Sequence, residues 1–92
     1  MPLALFTTTA FERDLKRVRK QGGDPDKLEA VVDLIQEQRP LPTRCRPHPL
    51  RGNWIGHWDC HIQPDWLPLY KPTDTELTLI RTGSARGAVR VD

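Results

Sequence analysis

The chain has 92 residues, of which 37% are hydrophobic and 28% are charged, and its formal net charge is +2 at pH 7. A chain of this length predicts one small domain, 1–92, with a thin core. It contains no apolar run near the ~20 residues that a membrane span needs, and its first residues lack the pattern of a secretion signal. We therefore expect a cytoplasmic protein with no membrane partner.

The two cysteines, Cys45 and Cys60, are too few for a disulfide scaffold. His57, Cys60 and His61 are close in sequence, but on a strand the cysteine faces away from both histidines. A second ligand cluster of the usual spacing is missing. The sequence thus predicts no structural disulfide, no metal and no other cofactor.

The first part of the chain predicts one strand and one helix. Residues 3–7 alternate weakly, as a short strand does. Thr9 and Glu12 match a capping box, which places the N-cap at Thr9. The buried face of this helix consists of Phe11, Leu15 and Val18. Glycines at 22–23 end the helix.

A second helix begins at Asp24, its N-cap, with Pro25 in the first turn. Its apolar stripe consists of Leu28, Val31, Val32 and Ile35. Pro40 and Pro42 end it. Two amphipathic helices joined by a few residues predict a helical hairpin.

Strands dominate the rest of the chain after an extended loop at 43–51. We expect strands at 54–62, 66–70 and 76–82. On the first of these, one face carries Trp54, Gly56, Trp58, Cys60 and Ile62, and the other carries Ile55, His57, Asp59 and His61. The order β-α-α-β-β-β predicts an α+β fold, with the two-helix hairpin packed on a small twisted antiparallel sheet.

The segment 48–67 has the highest density of groups that move protons near neutral pH. It holds His48, His57, His61, Asp59, Asp65 and the tryptophans at 54, 58 and 66. Basic residues precede it at Arg39, Arg44 and Arg46, and Arg51 lies within it. Proton-transfer groups beside cations favour chemistry on an anion, and RNA is the first candidate. These charges are equally typical of solvated surfaces.

Several spaced motifs resemble the YafQ branch of the RelE/ParE toxin superfamily. They are Phe11-x-x-Asp14-Leu-Lys-Arg17, Lys27-Leu28, Leu41-Pro42, His48-Pro-Leu-x-Gly52-x-Trp54-x-Gly56, Asp59-Cys-His61-Ile-x-Pro-Asp65-Trp66, Tyr70 and Arg81-Thr-Gly-Ser84. The resemblance implies a RelE-like fold and a type II toxin that cleaves mRNA on the ribosome and is neutralised by a cognate antitoxin. The two histidine motifs are specific together, whereas either alone is weak.

The resemblance also implies roles for individual residues. His48, His61 and Asp65 match catalytic positions, and Arg81 matches the arginine that would contact the phosphate. Metal-free RNA cleavage needs a base for the 2′-hydroxyl, an acid for the leaving oxygen and a cation for the phosphorane. The residues we expect to bind RNA or the ribosome are Arg44, Arg46, Arg51, Lys16, Arg17 and Lys20. His57 and the tryptophans are expected to be structural.

The chain departs from the family pattern at two places. Ala85 stands where a histidine follows the Arg-Thr-Gly-Ser motif, and the tail after it lacks the closing aromatic residue. Pro68 lies in a predicted strand, where it forces an edge, a bulge or a gap. Three functions remain open: a ribosome-dependent endoribonuclease with reduced activity, an inactive protein that only binds an antitoxin, and a gyrase-inhibiting ParE-type toxin.

Overall fold

The structure, a computed structural model, describes residues 2–84 and consists of two helices on one face of a five-stranded sheet. The strands are β1 (Ala4–Thr7), β2 (His48–Pro49), β3 (Trp58–Asp59), β4 (Trp66–Pro72) and β5 (Glu76–Ser84), and the helices are α1 (Thr9–Lys20) and α2 (Pro25–Gln36). The strand order is β1-β5-β4-β3-β2. The predicted α+β class and helical hairpin are confirmed. Among the described strands, β1 pairs with β5 in parallel and the other pairs are antiparallel, so the sheet is mixed.

Helix α1 is capped one residue earlier than the sequence predicts. The Thr8 side chain accepts the Phe11 N–H, and the capping box at Thr9 and Glu12 is therefore wrong. A tertiary contact favours Thr8 over Thr9 as the N-cap, because the Thr8 hydroxyl donates to the Ile80 carbonyl over 2.7 Å. Helix α2 has the predicted cap, with Asp24 accepting the N–H of residue 26.

The main core lies between the helices and the sheet. The predicted stripes of both helices are buried or half-buried there, together with Cys45, Cys60, Trp66, Tyr70, Leu77 and Leu79. A smaller cluster on the other face consists of Leu50, Leu67 and Leu69, with Trp54 and Ile80 packed against it. We call the face that carries this smaller cluster the outer face.

The predicted strand 54–62 is wrong in extent. Only Trp58–Asp59 is a strand, and Gly52–Trp54 is a short 3₁₀ turn. Gly52 and Gly56 have φ of 64° and 92°, conformations that interrupt a strand and favour glycine. Trp54 consequently packs on the outer face, away from Cys60. The loop predicted at 43–51 contains a 3₁₀ turn at Thr43–Cys45 and the short strand β2.

Pro68 keeps a partner in the ladder, and a register shift lies one residue beyond it. The register between β4 and β5 shifts between Leu69 and Tyr70, so Ile80 has no partner on β4. Pro68 is opposite Thr82, whose backbone N–H donates to the Asp14 carboxylate. Within the described part of the chain, neither helix has the length and hydropathy to traverse a bilayer.

Candidate active site

One row of paired residues crosses the outer face of the sheet and connects several of the predicted site residues. His48 on β2 is opposite Asp59 on β3, Asp59 is opposite Leu69 on β4, and Leu69 is opposite Arg81 on β5. Directly paired residues point to the same face of a sheet. Buried Leu69 separates Arg81 from Asp59 by two strand spacings, roughly 10 Å.

His48 is positioned by the short ladder between β2 and β3. Two residues later, the Leu50 N–H donates to the His57 carbonyl over 2.9 Å, which extends this ladder. The Leu50 side chain packs in the small cluster of the outer face and anchors the strand. His48 itself is exposed, so its imidazole is accessible to a ligand.

His61 is held by its backbone, because its N–H donates to the Cys45 carbonyl over 2.6 Å. The Cys45 side chain is part of the main core, so this bond connects His61 to a rigid element. The imidazole is half-buried, and its Nδ1 atom is buried with no hydrogen-bond partner among residues 2–84. A buried ring nitrogen without a partner is costly.

Asp59 lies within the electrostatic range of both histidines. Burial raises the pKa of its carboxyl, and the nearby charges of His48 and His61 lower it, with a net pKa above the ordinary value. Strand alternation predicts Asp59 on the same face as His61, and the sequence assigns it no role. The sequence feature that could have pointed to Asp59 is its position two residues before His61, in a segment where successive side chains are expected to face opposite sides.

Asp65 lies in the turn that begins β4, as its position after Pro64 predicts. The turn is closed by two backbone hydrogen bonds between Gln63 and Trp66. Asp65 is exposed, and both of its carboxylate oxygens accept from the Ser84 hydroxyl, at 3.2 and 3.3 Å. It borders a cleft that also contains Gln63 and Ser84. Asp65 therefore lies beside the end of β5.

Arg81 is engaged with the buried carboxylate of Asp14, a residue of the first motif to which the sequence assigns no role. Its Nε donates to Asp14 Oδ2 over 2.6 Å, and its Nη2 donates to Oδ1 over 3.2 Å. Arg17 adds a longer bond to Oδ1 at 3.3 Å, and the Thr82 N–H donates to Oδ2. The Arg81 side chain is 36% exposed, and Nη1 makes no hydrogen bond within residues 2–84.

Asp14 occupies the edge of β5 beyond the end of β1. Burial raises the pKa of this carboxyl, but the hydrogen bonds from Arg81 and Thr82 and the charges of Arg81 and Arg17 outweigh burial and hold it below the ordinary value. Asp14 lies on the buried face of α1, between Phe11 and Val18. An aspartate within an apolar stripe was the available signal for a buried ion pair.

The predicted basic residues lie on separate elements. Arg44 and Arg46 border a cleft of about 420 Å³ with His61, Ile62, Gln63 and Pro64. Arg51 is exposed in the loop after β2. On α1 the predicted binding residues Lys16, Arg17 and Lys20 are exposed, and so are Arg13 and Arg19. The structure thus brings two of the arginines to His61 and leaves the remaining cations elsewhere.

Three other titratable side chains near the histidines are poor candidates for proton transfer. His57 packs edge-on against Trp54, with ring centroids 5.1 Å apart, and its Nδ1 atom, like that of His61, is buried with no hydrogen-bond partner among residues 2–84. Burial, with the charges of Cys45 and Asp59, raises the pKa of the Cys60 thiol to about 12. Burial and the adjacent Cys60 also raise the pKa of Tyr70. Cys60 and Tyr70 are therefore neutral near pH 7.

The structure therefore places His48 and His61 near Asp59. Arg81 lies on β5, and Asp65 lies beside the end of that strand. No two of the four predicted catalytic residues are joined by a hydrogen bond within residues 2–84, and Ala85 lies outside the described residues. In the same part of the chain, no three His, Cys, Asp or Glu side chains form a group that could hold a metal ion. Both cysteines are free and buried.

Comparison with known proteins connects this arrangement to one family. The sequence model described as the bacterial toxin of the type II toxin–antitoxin system, YafQ, matches residues 3–87. The mRNA interferase toxin YafQ of Escherichia coli K12 is 40% identical over 75 residues, covering 80% of this chain and 82% of the relative. The putative toxin YafQ of Haemophilus influenzae is 32% identical over 73 residues, covering 76% and 72%.

A solved structure shares the whole fold. A chain from the crystal structure of the E. coli DinJ–YafQ toxin–antitoxin complex superposes with a TM-score of 0.88 and is 32% identical. The match covers 98% of this chain and 100% of the other.

Proposed function

The chain belongs to the YafQ family of bacterial type II toxins, in the RelE superfamily, and from this premise we propose that it is a ribosome-dependent mRNA endoribonuclease acting in the cytoplasm. The observation that carries the proposal is the placement of His48 and His61 around one carboxyl on the outer face, with both imidazoles able to reach a ligand. A cognate antitoxin would neutralise the protein by covering this surface.

The chemistry we propose is cleavage by the neighbouring 2′-hydroxyl of the RNA. One imidazole removes the proton of that hydroxyl as its oxygen attacks phosphorus, and a second acidic group protonates the leaving 5′-oxygen. His48, His61 and Asp65 divide this work. The products are a 2′,3′-cyclic phosphate and a 5′-hydroxyl, and no metal is needed.

Arg81 would contribute positive charge to the phosphorane through Nη1, since Nε and Nη2 already bind Asp14. A guanidinium binds most strongly when two of its N–H groups donate to the two oxygens of one acidic group, and in this structure that group is the Asp14 carboxylate. The stabilisation that Arg81 can give a phosphate is correspondingly smaller. This pairing, together with Ala85 in place of the family histidine, supports reduced activity.

The ribosome would supply what a domain of this size lacks. A chain of 92 residues has little room to enclose an RNA strand, so orientation of the mRNA for in-line attack would come from the ribosome. Arg44 and Arg46 lie beside His61 and would bind RNA phosphates there. Arg51 and the α1 residues Lys16, Arg17 and Lys20 would bind ribosomal RNA.

The experiment that tests the function is cleavage of mRNA on programmed ribosomes by purified protein, with mapping of the new 5′ ends. We expect site-specific cleavage by the wild type, little or none of naked mRNA, and a loss of about 10²–10⁴-fold in His61→Ala. His57→Ala is the matched control, because it removes the same imidazole from a packed position. Rapid, site-specific cleavage of naked mRNA would contradict ribosome dependence.

The alternative is a toxin-fold protein that binds an antitoxin without cutting RNA. Ala85 and the engaged Arg81 are the observations that favour it. A wild-type protein that binds antitoxin but cleaves no ribosome-bound mRNA would establish this alternative. Ala85→His separates the two further, since restoring a donor beside the phosphate should raise cleavage in an attenuated enzyme.

A further inference from the structure

We propose that Arg46 is a catalytic residue of this site, whose guanidinium donates to the scissile phosphate of the RNA and stabilises the negative charge that develops there. The proposal rests on the proposed function, because it assigns Arg46 to the same cleavage site. It gives Arg46 a role in the reaction itself, beyond binding of the RNA backbone. Arg81, which already binds Asp14, then has a mainly structural role.

The backbone of Arg46 adopts a conformation that its residue type does not favour. Arg46 ends the 3₁₀ turn Thr43–Cys45 with φ of 44° and ψ of 62°, in the left-handed region. Glycine and asparagine adopt this conformation most readily, and a long side chain with a Cβ atom is uncommon there. Strain of this kind is concentrated at functional sites, so it points to a function for the Arg46 side chain.

The strained turn is fixed beside His61. The His61 N–H donates to the Cys45 carbonyl over 2.6 Å, and Arg46 is the next residue along the chain. The Arg46 N–H closes the turn by donating to the Thr43 carbonyl over 3.2 Å. Because the Cys45 side chain is buried in the main core, this backbone is held firmly. The side chains of Arg46 and His61 line the same cleft of about 420 Å³, so both can contact one ligand.

The Arg46 side chain is available to a phosphate. It is exposed, and its guanidinium makes no ion pair or hydrogen bond with another residue within 2–84. Arg44 lines the same cleft but also borders a second one toward α2, whose lining includes the acidic side chain of Asp26. Arg81 uses Nε and Nη2 to bind Asp14. Among these three arginines, Arg46 is therefore the one best placed to serve the phosphate beside His61.

The reaction defines what Arg46 would do. The 2′-oxygen forms a bond to phosphorus as it loses its proton to the base, and the bond from phosphorus to the 5′-oxygen breaks as that oxygen takes a proton from the acid. Negative charge meanwhile increases on the two non-bridging oxygens. Two N–H groups of one guanidinium match these two oxygens. Because the charge is largest in the transition state, Arg46 should raise the cleavage rate as well as the affinity for RNA.

The test is single-turnover cleavage of mRNA on programmed ribosomes, with the protein in excess and its concentration varied. In Arg46→Gln we expect the cleavage rate at saturating protein to fall about 10²–10³-fold, as when one donor to a developing oxyanion is removed. Arg46→Lys, which keeps the charge without the paired N–H groups, should recover part of the rate. Arg19→Gln is the matched control, since it removes the same charge from an exposed position of α1 that has no assigned role in the site.

Urea unfolding gives a second, independent measurement. Asparagine tolerates the left-handed region better than arginine does. Arg46→Asn should therefore raise the urea midpoint above that of the wild type while it lowers the cleavage rate. Arg44→Asn is the control here, because Arg44 lies in the same turn without a positive φ, and it should not raise the midpoint. A lower midpoint in Arg46→Asn would contradict the inference from backbone strain.

The outcomes separate this proposal from the function on which it rests. Equal cleavage rates of Arg46→Gln and Arg19→Gln at saturating protein overturn the catalytic role of Arg46, even though mRNA is cleaved. The role is also overturned if Arg46→Gln raises only the protein concentration that gives half-maximal cleavage, since Arg46 then binds RNA without taking part in the reaction. A wild-type protein that binds programmed ribosomes but cuts no mRNA overturns the endoribonuclease function instead, and the role of Arg46 with it.

Discussion

Two aspartates at opposite sides of the sheet show what neighbours do to the same functional group. Asp14, at the edge of β5, is 1% exposed and receives hydrogen bonds from Arg81, Arg17 and Thr82. Asp59, on β3, is half-buried near two histidines, and its carboxylate accepts no hydrogen bond from another residue within 2–84. At Asp14 the hydrogen bonds and charges of its partners outweigh the effect of burial on the carboxyl pKa, whereas at Asp59 the nearby charges do not.

The difference separates a carboxylate that stabilises the fold from one left available for chemistry. The pKa of Asp14 lies below its ordinary value because its partners outweigh burial, and that of Asp59 lies above its ordinary value because burial outweighs its partners. Sites that keep an incompletely satisfied charge are usually functional ones. Four substitutions test this contrast.

The largest effect should come from Asp14→Asn. The change removes the negative charge from a buried site and leaves two arginines without their partner, which costs about 3–5 kcal/mol in a fully buried pair. Because the side chains of Arg81 and Arg17 are 36% and 53% exposed, both can be rehydrated. We therefore expect a loss of about 2–3 kcal/mol, measured by urea unfolding.

The same variant should change the acid sensitivity of the protein. A carboxyl whose folded pKa is depressed stabilises the fold above its unfolded pKa, and this contribution is lost as the pH falls through the folded pKa. Asp14→Asn should therefore flatten the decline of stability below about pH 4. Asp33→Asn, at an exposed position of α2, is the control, and equal acid sensitivity in both variants would contradict the assignment.

Arg81→Gln should have the next largest effect. It removes two of the hydrogen bonds to Asp14 but leaves those from Arg17 and Thr82. We expect a loss of about 1–2 kcal/mol in urea unfolding, allowing for the partial exposure of Arg81. Arg81→Lys should recover part of this loss, since it restores the charge without the fork. A stability equal to wild type would show that Arg81 is free to serve a phosphate.

Local patterns in the sequence were sufficient to predict the helices and their buried faces. Periodicity and glycine stops depend on neighbouring residues alone. The N-cap of α1 was misplaced because three successive threonines are available and the choice depends on Leu79 and Ile80, about seventy positions later. The predicted strand at 54–62 is too long because Gly52 and Gly56 adopt positive φ angles, which a regular strand does not contain.

The candidate site was predictable only where short motifs carry it. His48, His61 and Asp65 belong to motifs that can be read within a few residues, and their catalytic roles stay predictions. The pairing of Asp14 with Arg81 spans 67 positions, so no local pattern reveals it. The pairing of Asp59 with His48 depends on the register between β2 and β3, which two-residue strands do not specify in sequence.

Arg17→Gln should change stability less than Arg81→Gln does. Arg17 makes one contact with Asp14 at 3.3 Å, and its side chain is 53% exposed. Ion pairs of this kind contribute about 0.5 kcal/mol or less, and salt screens them. Unfolding in low and high salt should show a small loss that disappears at high ionic strength. A loss as large as that of Arg81→Gln would mean that Arg17 holds the carboxylate.

Asp59→Asn should have the smallest effect on stability and the opposite sign. Burial raises the folded pKa of Asp59, so folding favours its protonated form, and the ionised form lowers stability as the pH rises through the folded pKa. Asparagine removes this cost, and we expect a stability at pH 7 equal to wild type or higher by no more than about 0.5 kcal/mol. Thermal unfolding at pH 4 and pH 7 checks the sign, since the gain over wild type should be present at pH 7 and smaller at pH 4. A large loss of stability at pH 7 would mean that Asp59, like Asp14, is held by partners that stabilise the fold, and the contrast between the two carboxylates would then disappear.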